Sequence, residues 1–294
     1  MTTIASPHNP RLQELRRLRR RRERARSGRF LAEGEDLVVA ARQAGWPAVA
    51  GFRAAGSGLG GADFLDVEPA TLAEVSTLGS GARVIGVYEQ RWLQAPRGPV
   101  CVYLHGVADP GNVGAALRAA LAFGASCVAL GPSCADPCSP KAVRAGMGAI
   151  FAVALARVGA VEELPGKRIA LVANRSWGTL ASGEHPRFGQ RAPAQSLETV
   201  RRLIDPACEV AGAGGEEGMG PSGASGVRVG RPGGGPSDSV PAFTLLVGAE
   251  REGLPQEIVE ACEYVAHIPI ANDSLNAAQA ATVALYEMTK VSAS

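Results

Sequence analysis

Aromatic residues are scarce in this chain: 5% of 294 positions, against 46% hydrophobic residues overall. A core built from such a sequence rests on Ala, Val, Leu and Ile. No run of about 18 apolar residues is present, so no membrane-spanning helix is expected. Met1–Pro10 lacks the apolar stretch of a signal peptide, and a cytoplasmic location is expected. Cysteine is also sparse. Six are scattered without framework spacing, and Cys101 and Cys127 sit inside apolar, strand-like runs, which fits reduced thiols better than disulfides. Cys134 and Cys138 lack a second ligand pair, and His105 lies too far along the chain to complete a zinc spacing, so no metal is expected. There is no G-x-G-x-x-G with a downstream acid, no P-loop and no G-x-S-x-G elbow, which argues against dinucleotide, P-loop and serine-hydrolase chemistry.

What is present is unevenly placed. Residues 1–35 hold ten arginines and four glutamates, a balance of +6, while the whole chain carries only +2. The rest of the chain is therefore at −4. Charge concentrated in an N-terminal arm suggests contact with a polyanion. The plain alternative is a solvated, arginine-rich helix face.

Residues 8–26 read as one helix, with Leu12, Leu15 and Leu18 on one side and a start at Asn9-Pro10. A second helix is predicted over Gly34–Ala44. Short strands follow at Ala48–Phe52, Phe64–Val67 and Val84–Tyr88, with helix Ala70–Thr77 between the last two. Gln90–Pro99, with two prolines and a glycine, reads as a linker. These features predict a domain over 1–95 and a second over 96–294. In the second, strands at Val100–Leu104, Cys127–Leu130, Ile150–Ala154, Arg168–Ala173, Phe243–Val247 and Tyr264–Ile268 alternate with helices. Those helices are predicted at Asn112–Phe123, Pro140–Met147, Pro255–Ala261 and Leu275–Thr289. Such alternation predicts an α/β fold with a mostly parallel sheet covered on both faces. Asp205–Val240 has eleven glycines in 36 residues and almost no large apolar side chains, and reads as a flexible insertion at about 205–240.

Three segments carry candidate chemistry. Asp109-Pro-Gly-Asn-Val-Gly-Ala-Ala-Leu-Arg118 joins a strand to a helix. Gly111 and Gly114 permit a tight turn, and the helix start offers free N–H groups to an anion. Arg118 suits a bidentate phosphate contact. The plain alternative is an ordinary βα turn with a salt-bridged arginine. Leu246-Val-Gly-Ala-Glu-Arg-Glu-Gly-Leu254 follows a strand, and Gly248 and Gly253 would let a ligand lie against main chain. Glu250 stands just past the strand's carboxyl end, where α/β sheets bind ligands. Ile268-Pro-Ile-Ala-Asn-Asp-Ser-Leu-Asn276 runs from a strand into the last helix. Ser274 is a good helix cap, and Ser274 and Asn276 bring polar groups to the same sheet edge.

In this order the segments resemble the SpoU (TrmH-like) branch of the SPOUT RNA methyltransferases. The likeness extends to Ala284-Leu-Tyr-Glu287 and Pro140-Lys-Ala-Val-Arg-Ala-Gly-Met-Gly148. It also takes in Ser6-Pro-His-Asn-Pro-Arg11 and Phe30-Leu-Ala-Glu-Gly34 in the front domain. The resemblance covers nearly the whole chain apart from the glycine-rich insertion. It implies a deep trefoil knot in the second domain, which physical reasoning about connections would not propose. It implies a small L30e-like front domain, a homodimer, and S-adenosyl-L-methionine (AdoMet) as cofactor. Carried over by position, Asn112, Arg118, Glu250, Ser274 and Asn276 are the catalytic candidates. Leu246, Gly248, Gly253, Ile268, Ile270 and Leu275 are the cofactor candidates.

The implied activity is 2′-O-methylation of a ribose in RNA, and the front domain points to 23S ribosomal RNA. Arg11, Arg16, Arg19, Arg20 and Arg144 are the candidate RNA contacts. If six arginines each neutralise one phosphate of single-stranded RNA, the salt slope is about −4. Guanidinium pKa values lie above about 12, so Arg118 is expected to bind phosphate and stabilise the developing alkoxide rather than act as a base. Asn112, Ser274 and Asn276 would orient the ribose. The rival readings are a transfer-RNA 2′-O-methyltransferase, a resistance enzyme with the same chemistry, and a non-catalytic RNA-binding protein with a decayed knot domain. The loop Ala271–Asp273 is shorter than most relatives carry, with Asn272 where glycine is common.

Overall fold

The computed structural model describes residues 3–78, 81–173, 194–204, 242–271 and 275–290. The glycine-rich 205–240 segment lies outside the described residues.

The chain opens with α1 (Pro10–Leu18). Asn9 caps it by accepting from the Arg11 N–H, and Pro10 takes the first helical position. Leu12, Leu15 and Leu18 are buried along one side. The single helix expected over 8–26 is broken. Arg20 is extended (φ −88°, ψ 132°), and α2 (Arg21–Ser27) begins after it. The cause is Arg24, only 3% exposed. Its Nη1 donates to the Leu18 and Arg19 carbonyls at 2.9 and 2.7 Å. Its Nη2 pairs with Asp136 at 2.7 Å. A helix end frees carbonyls that need donors, and here one buried cation supplies them.

Strand β1 (Arg29–Glu33), which the sequence pattern does not mark, follows directly. Helix α3 (Glu35–Gln43), β2 (Ala50–Ala54), β3 (Leu65–Val67), α4 (Pro69–Val75) and β4 (Val84–Glu89) complete a four-stranded sheet of order β1-β4-β2-β3. Only β2 and β3 run parallel. One face packs Leu31, Phe52, Ile85 and Val87 against the α1 leucines.

Among the described residues the second sheet has seven strands, in the order β7-β6-β5-β10-β8-β11-β9. They are β5 (Val100–Leu104), β6 (Cys127–Leu130), β7 (Ala154–Arg157), β8 (Lys167–Val172), β9 (Gln195–Ser196), β10 (Phe243–Val247) and β11 (Tyr264–His267). Every pairing is parallel. Val102, Leu104, Val128, Leu245 and Val247 face one core, and Cys101, Tyr103, Cys127, Ala129 and Leu246 face the other. Burial on both faces is why these strands read as unbroken apolar runs. Helices α5 (Pro110–Ala122), α6 (Pro140–Ala145), α7 (Leu197–Ile204), α8 (Gln256–Glu260) and α9 (Ala277–Thr289) cover the sheet. The strand expected at Ile150–Ala154 is absent. Ala149–Phe151 form a 3-10 turn instead, because Met147 (φ 48°) and Gly148 (φ 86°) turn the chain sharply, and β7 starts at Ala154.

The two sheets share a core. Phe30 and Tyr88 of the first meet Trp46 and Phe151, with ring centroids 5.0 to 6.2 Å apart. Trp46 Nε1 donates to the Phe151 carbonyl at 2.9 Å. The Gln90–Pro99 stretch is docked as well. The Leu93 N–H donates to Leu155 at 2.7 Å, and Arg157 lies over Trp92.

Candidate active site

The parallel sheet brings the carboxyl ends of β5, β10 and β11 to one edge, and each strand runs into one of the three candidate segments. After β5, Asp109 caps α5, its Oδ1 accepting from the N–H groups of Gly111 and Asn112. Pro110 needs no partner at the first helical position. Lys141 of α6 holds Asp109 Oδ2 at 2.7 Å. That ammonium, foremost, keeps the Asp109 carboxyl below its usual range. Gly114 is required by packing, since a Cβ there would lie 2.2 Å from the Ala142 carbonyl oxygen of α6. Asn112 is thus fixed in the first turn of a helix clamped at its start and along its side.

After β10, the backbone closes a tight loop. Ala249 and Gly253 exchange N–H···O bonds of 3.2 and 3.0 Å. Gly253 is left-handed (φ 68°), and a Cβ on Gly248 would strike the Gly253 carbonyl carbon at 2.1 Å. Both glycines therefore serve the loop's own closure, a role that precedes any contact with a ligand. The loop presents Glu250. After β11, Asn276 caps α9, its Oδ1 accepting from Ala278 and Gln279 at 3.0 and 3.4 Å. Ser274, the cap expected from sequence, lies outside the described residues, and Asn276 fills that place.

The three segments meet through side chains. Asn112 Nδ2 donates to Glu250 Oε1, and Asn276 Nδ2 donates to Asn112 Oδ1 at 2.9 Å. The carboxylate thus orients one amide, that amide orients the next, and the next is anchored on a helix start. Each amide keeps one N–H and the carboxylate keeps Oε2 for further partners. Arg118 does not join this chain. It is exposed, and its side chain makes no hydrogen bond or ion pair among the described residues. Six residues from Asn112 at 3.6 per turn leave the two side chains about 120° apart round α5.

Ile268 and Ile270 are half-buried where β11 ends, as is Leu275 before α9. Leu246 is wholly buried on the other face of the sheet, so its main chain alone can meet a ligand. His105, just past β5, is considered in the sequence only as a zinc ligand and is not among the site candidates. Tyr103 Oη and His105 Nδ1 lie 3.0 Å apart. Burial lowers the His105 pKa, opposed by Glu257. Its strand-end position was the only signal available.

In the arm, the arginines divide. Arg16 is held by the Pro7 carbonyl (2.8 Å) and Glu74 (2.6 Å). Arg19 donates to the carbonyls of Val75 and Ser76. Arg11 and Arg20 are exposed and their side chains make no hydrogen bond or ion pair among the described residues, and the same holds for the side chains of Arg17, Arg21 and Arg22 and of Arg144 on α6. Among the described residues there is no group of three metal-ligating side chains, and no helix long and apolar enough to cross a membrane.

Sheet, strand-end loops and polar chain define an α/β protein of the class in which ligands bind where parallel strands end. The model of the SpoU rRNA methylase family matches residues 99–181 and 236–286. Residues 9–86 match the MRM3-like substrate binding domain. Over 55 residues the chain is 46% identical to the mitochondrial rRNA methyltransferase 3 of Mus musculus, covering 19% of this chain and 13% of that protein. It is 28% identical over 184 residues to the 23S rRNA (uridine(2479)-2′-O)-methyltransferase of Streptomyces viridochromogenes, covering 62% of this chain and 49% of that one. The matches thus span half or less of these curated relatives. Among solved structures, the AdoMet-bound rRNA methyltransferase of Sinorhizobium meliloti matches 98% of this chain and 97% of its own, at TM-score 0.70 and 25% identity. The SpoU methyltransferase AviRb of Streptomyces viridochromogenes, in complex with AdoMet, is similar in fold at TM-score 0.66 and 22% identity, over 96% and 97% of the two chains.

Proposed function

We propose that this protein transfers a methyl group from AdoMet to the 2′-oxygen of a ribose in ribosomal RNA. The observation that carries this reading is the hydrogen-bonded chain Glu250–Asn112–Asn276. It ties together, at one sheet edge, the three segments that such a transfer needs. The residues at that edge suit the cofactor's chemistry: half-buried Ile268, Ile270 and Leu275 for an adenosyl group, and Glu250 for nearby positive charge. When bound, AdoMet supplies a methyl on a sulfonium, already a good leaving group.

The chain's own residues do the rest. Ile268, Ile270 and Leu275 would hold AdoMet, whose methyl would pass to the 2′-oxygen and leave a neutral thioether, with the hydroxyl proton passing to water. Asn112, Ser274 and Asn276 orient the ribose, and alignment of this kind lowers a barrier by as much as about 7–11 kcal/mol in good cases. Arg118 holds the target's phosphate and steadies the developing alkoxide.

The finer architecture belongs to the same proposal. Residues 1–95 form an L30e-like RNA-binding domain, and residues 96–294 hold a deep trefoil knot. Two copies pair through an exposed apolar face. Leu121, Val283 and Tyr286 are 44, 41 and 57% exposed there, with Phe123 edge-on to Tyr286. Arg118, one turn before Leu121, then stands at the seam.

The deciding experiment incubates the protein with methyl-labelled AdoMet and unmodified, transcribed ribosomal RNA, and analyses the nucleosides. A labelled 2′-O-methylnucleoside that disappears in Asn112→Ala is the expected result. Label appearing only on transfer RNA would redirect the target. No AdoMet binding at all would replace the reading by a non-catalytic RNA-binding one.

A further inference from the structure

Beyond the part of helix α6 that clamps α5, its last turn and the turn after it have no role in the transfer just described. The exposed side of the helix and turn carries Lys141, Arg144 and Met147 in succession. Lys141 and Arg144 stand one helical turn apart, about 4.5 Å along the axis. The Arg144 side chain makes no hydrogen bond or ion pair among the described residues. Met147 is 53% exposed, and its φ of 48° is one that side chains other than glycine seldom adopt.

The surroundings force that conformation. The Met147 N–H donates to the Arg144 carbonyl at 3.1 Å, and the Ala149 N–H to Gly146 at 2.9 Å. Gly148 follows (φ 86°), pressed so close to α3 that a Cβ would lie 2.6 Å from Ala40 Cβ. Ala149, Ile150 and Phe151 are then buried. A strained backbone that presents a large apolar side chain to water, when glycine would be easier there, is a reason to look for a ligand.

The position says which ligand. One end of α6 is bound to the candidate active site through Lys141 and Asp109. The other end leans on the front domain at Ala40. Between them, Pro140, Val143 and Arg144 line a small cavity with Leu31, Leu37 and Thr77 of the front domain. Helix α6 thus reaches from the front domain to the candidate active site, and a strand of RNA touching both would lie along it.

We propose that the Arg144–Met147 face is a track for single-stranded RNA: Arg144 holds a backbone phosphate, and the Met147 thioether packs against the face of an unstacked base. This rests on the RNA-methyltransferase reading and adds to it a site for the nucleotides beside the target. An apolar side chain under a base needs no particular base, so the track is tolerant of sequence.

Met147→Gly is the informative variant, because it removes the side chain and relieves the backbone at once. Binding of a short, fluorescein-labelled single-stranded RNA of mixed sequence is measured by anisotropy over a salt series. Thermal stability and solution mass are measured alongside. Met147→Gly is expected to melt at or above the parent's temperature, to bind RNA about fivefold more weakly, and to keep the parent's salt slope. Arg144→Gln is expected to make the slope shallower by about 0.7. Parent-like RNA binding by both variants overturns the track while leaving methyl transfer by the parent, and so the functional reading, intact. A change of oligomeric state in Met147→Gly with RNA binding unchanged also overturns it, giving the face to a second copy of the chain. A parent protein that neither binds RNA nor transfers methyl overturns both.

Discussion

The arginine arm and the strand-end site both gather polar side chains, but they hold them differently. At the site, three residues from three segments fix one another, and each is half-buried or exposed. In the arm, ten arginines crowd 35 residues, yet Arg16, Arg19 and Arg24 are spent on carbonyls and carboxylates of the fold itself. Charge in the sequence therefore overstates the surface available to a polyanion, whereas Asn112, Glu250 and Asn276 at the strand ends all meet in one place. The contrast predicts that substitutions in the arm split into two kinds, and that those at the site are of one kind.

The largest effect is expected at Arg24. Its pair with Asp136 is almost wholly buried, with side chains 4 and 11% exposed. Arg24→Met leaves a buried carboxylate and two carbonyls without their donor, at a cost of about 3–5 kcal/mol. Urea unfolding measures it. A loss below 1 kcal/mol would mean that this arginine belongs with the free ones and would erase the distinction.

The site should show the reverse pattern. Asn112→Ala and Glu250→Gln are expected to lower the transfer rate by about 10²–10³, as the loss of one oriented polar contact does elsewhere. Stability should change by no more than about 1 kcal/mol, because neither side chain is deeply buried. Single-turnover methylation beside thermal melting separates the two quantities. A variant that melts early and keeps its rate would make this chain a structural staple.

These same residues show what sequence can and cannot reveal. Strands such as Cys127–Leu130 and Phe243–Val247 are legible to the residue, because burial on both faces writes an uninterrupted apolar run bounded by breakers. The break between α1 and α2 is not, because it is imposed by Asp136, 112 positions from Arg24. Nothing local in the 8–26 pattern announces it. Strand β1 is missed because its run of apolar residues is only three long, between Arg29 and Glu33. At the site, each segment is readable as a strand end with glycines. That Asn112 reaches Glu250 138 positions away and Asn276 at 164 is a property of strand order, which periodicity does not carry. Met147 is unreadable for a further reason: a left-handed φ on a side chain other than glycine arises only from packing.

The free arginines give a smaller effect, additive and dependent on salt. Replacing Arg17, Arg20, Arg21 and Arg22 by Gln should make the RNA-binding salt slope shallower by about 3, with the melting temperature little changed. The same treatment of Arg16 and Arg19 should lower the melting temperature and leave most of the slope. If the two sets exchange behaviours, the division of the arm fails.

The smallest effect is at an ion pair in neither region. Arg168 and Glu263 join the start of β8 to the residue before β11 at 2.8 Å. Their hydrogen bond, foremost, holds the Glu263 carboxyl down at about 2 from 4.5. A carboxyl lowered on folding contributes stability that is complete above its unfolded pKa. That stability is lost as pH falls through the folded one, here from about 4.5 towards 2. The pair is a third exposed on the carboxylate side, so solvent screening keeps its worth below about 1 kcal/mol at neutral pH. Glu263→Gln should therefore cost little at pH 7 and converge on the parent below pH 3, while methyl transfer is untouched. A transfer rate that follows this titration would mean that the β8–β11 end of the sheet, opposite the strand ends that carry the site, governs the chemistry as well.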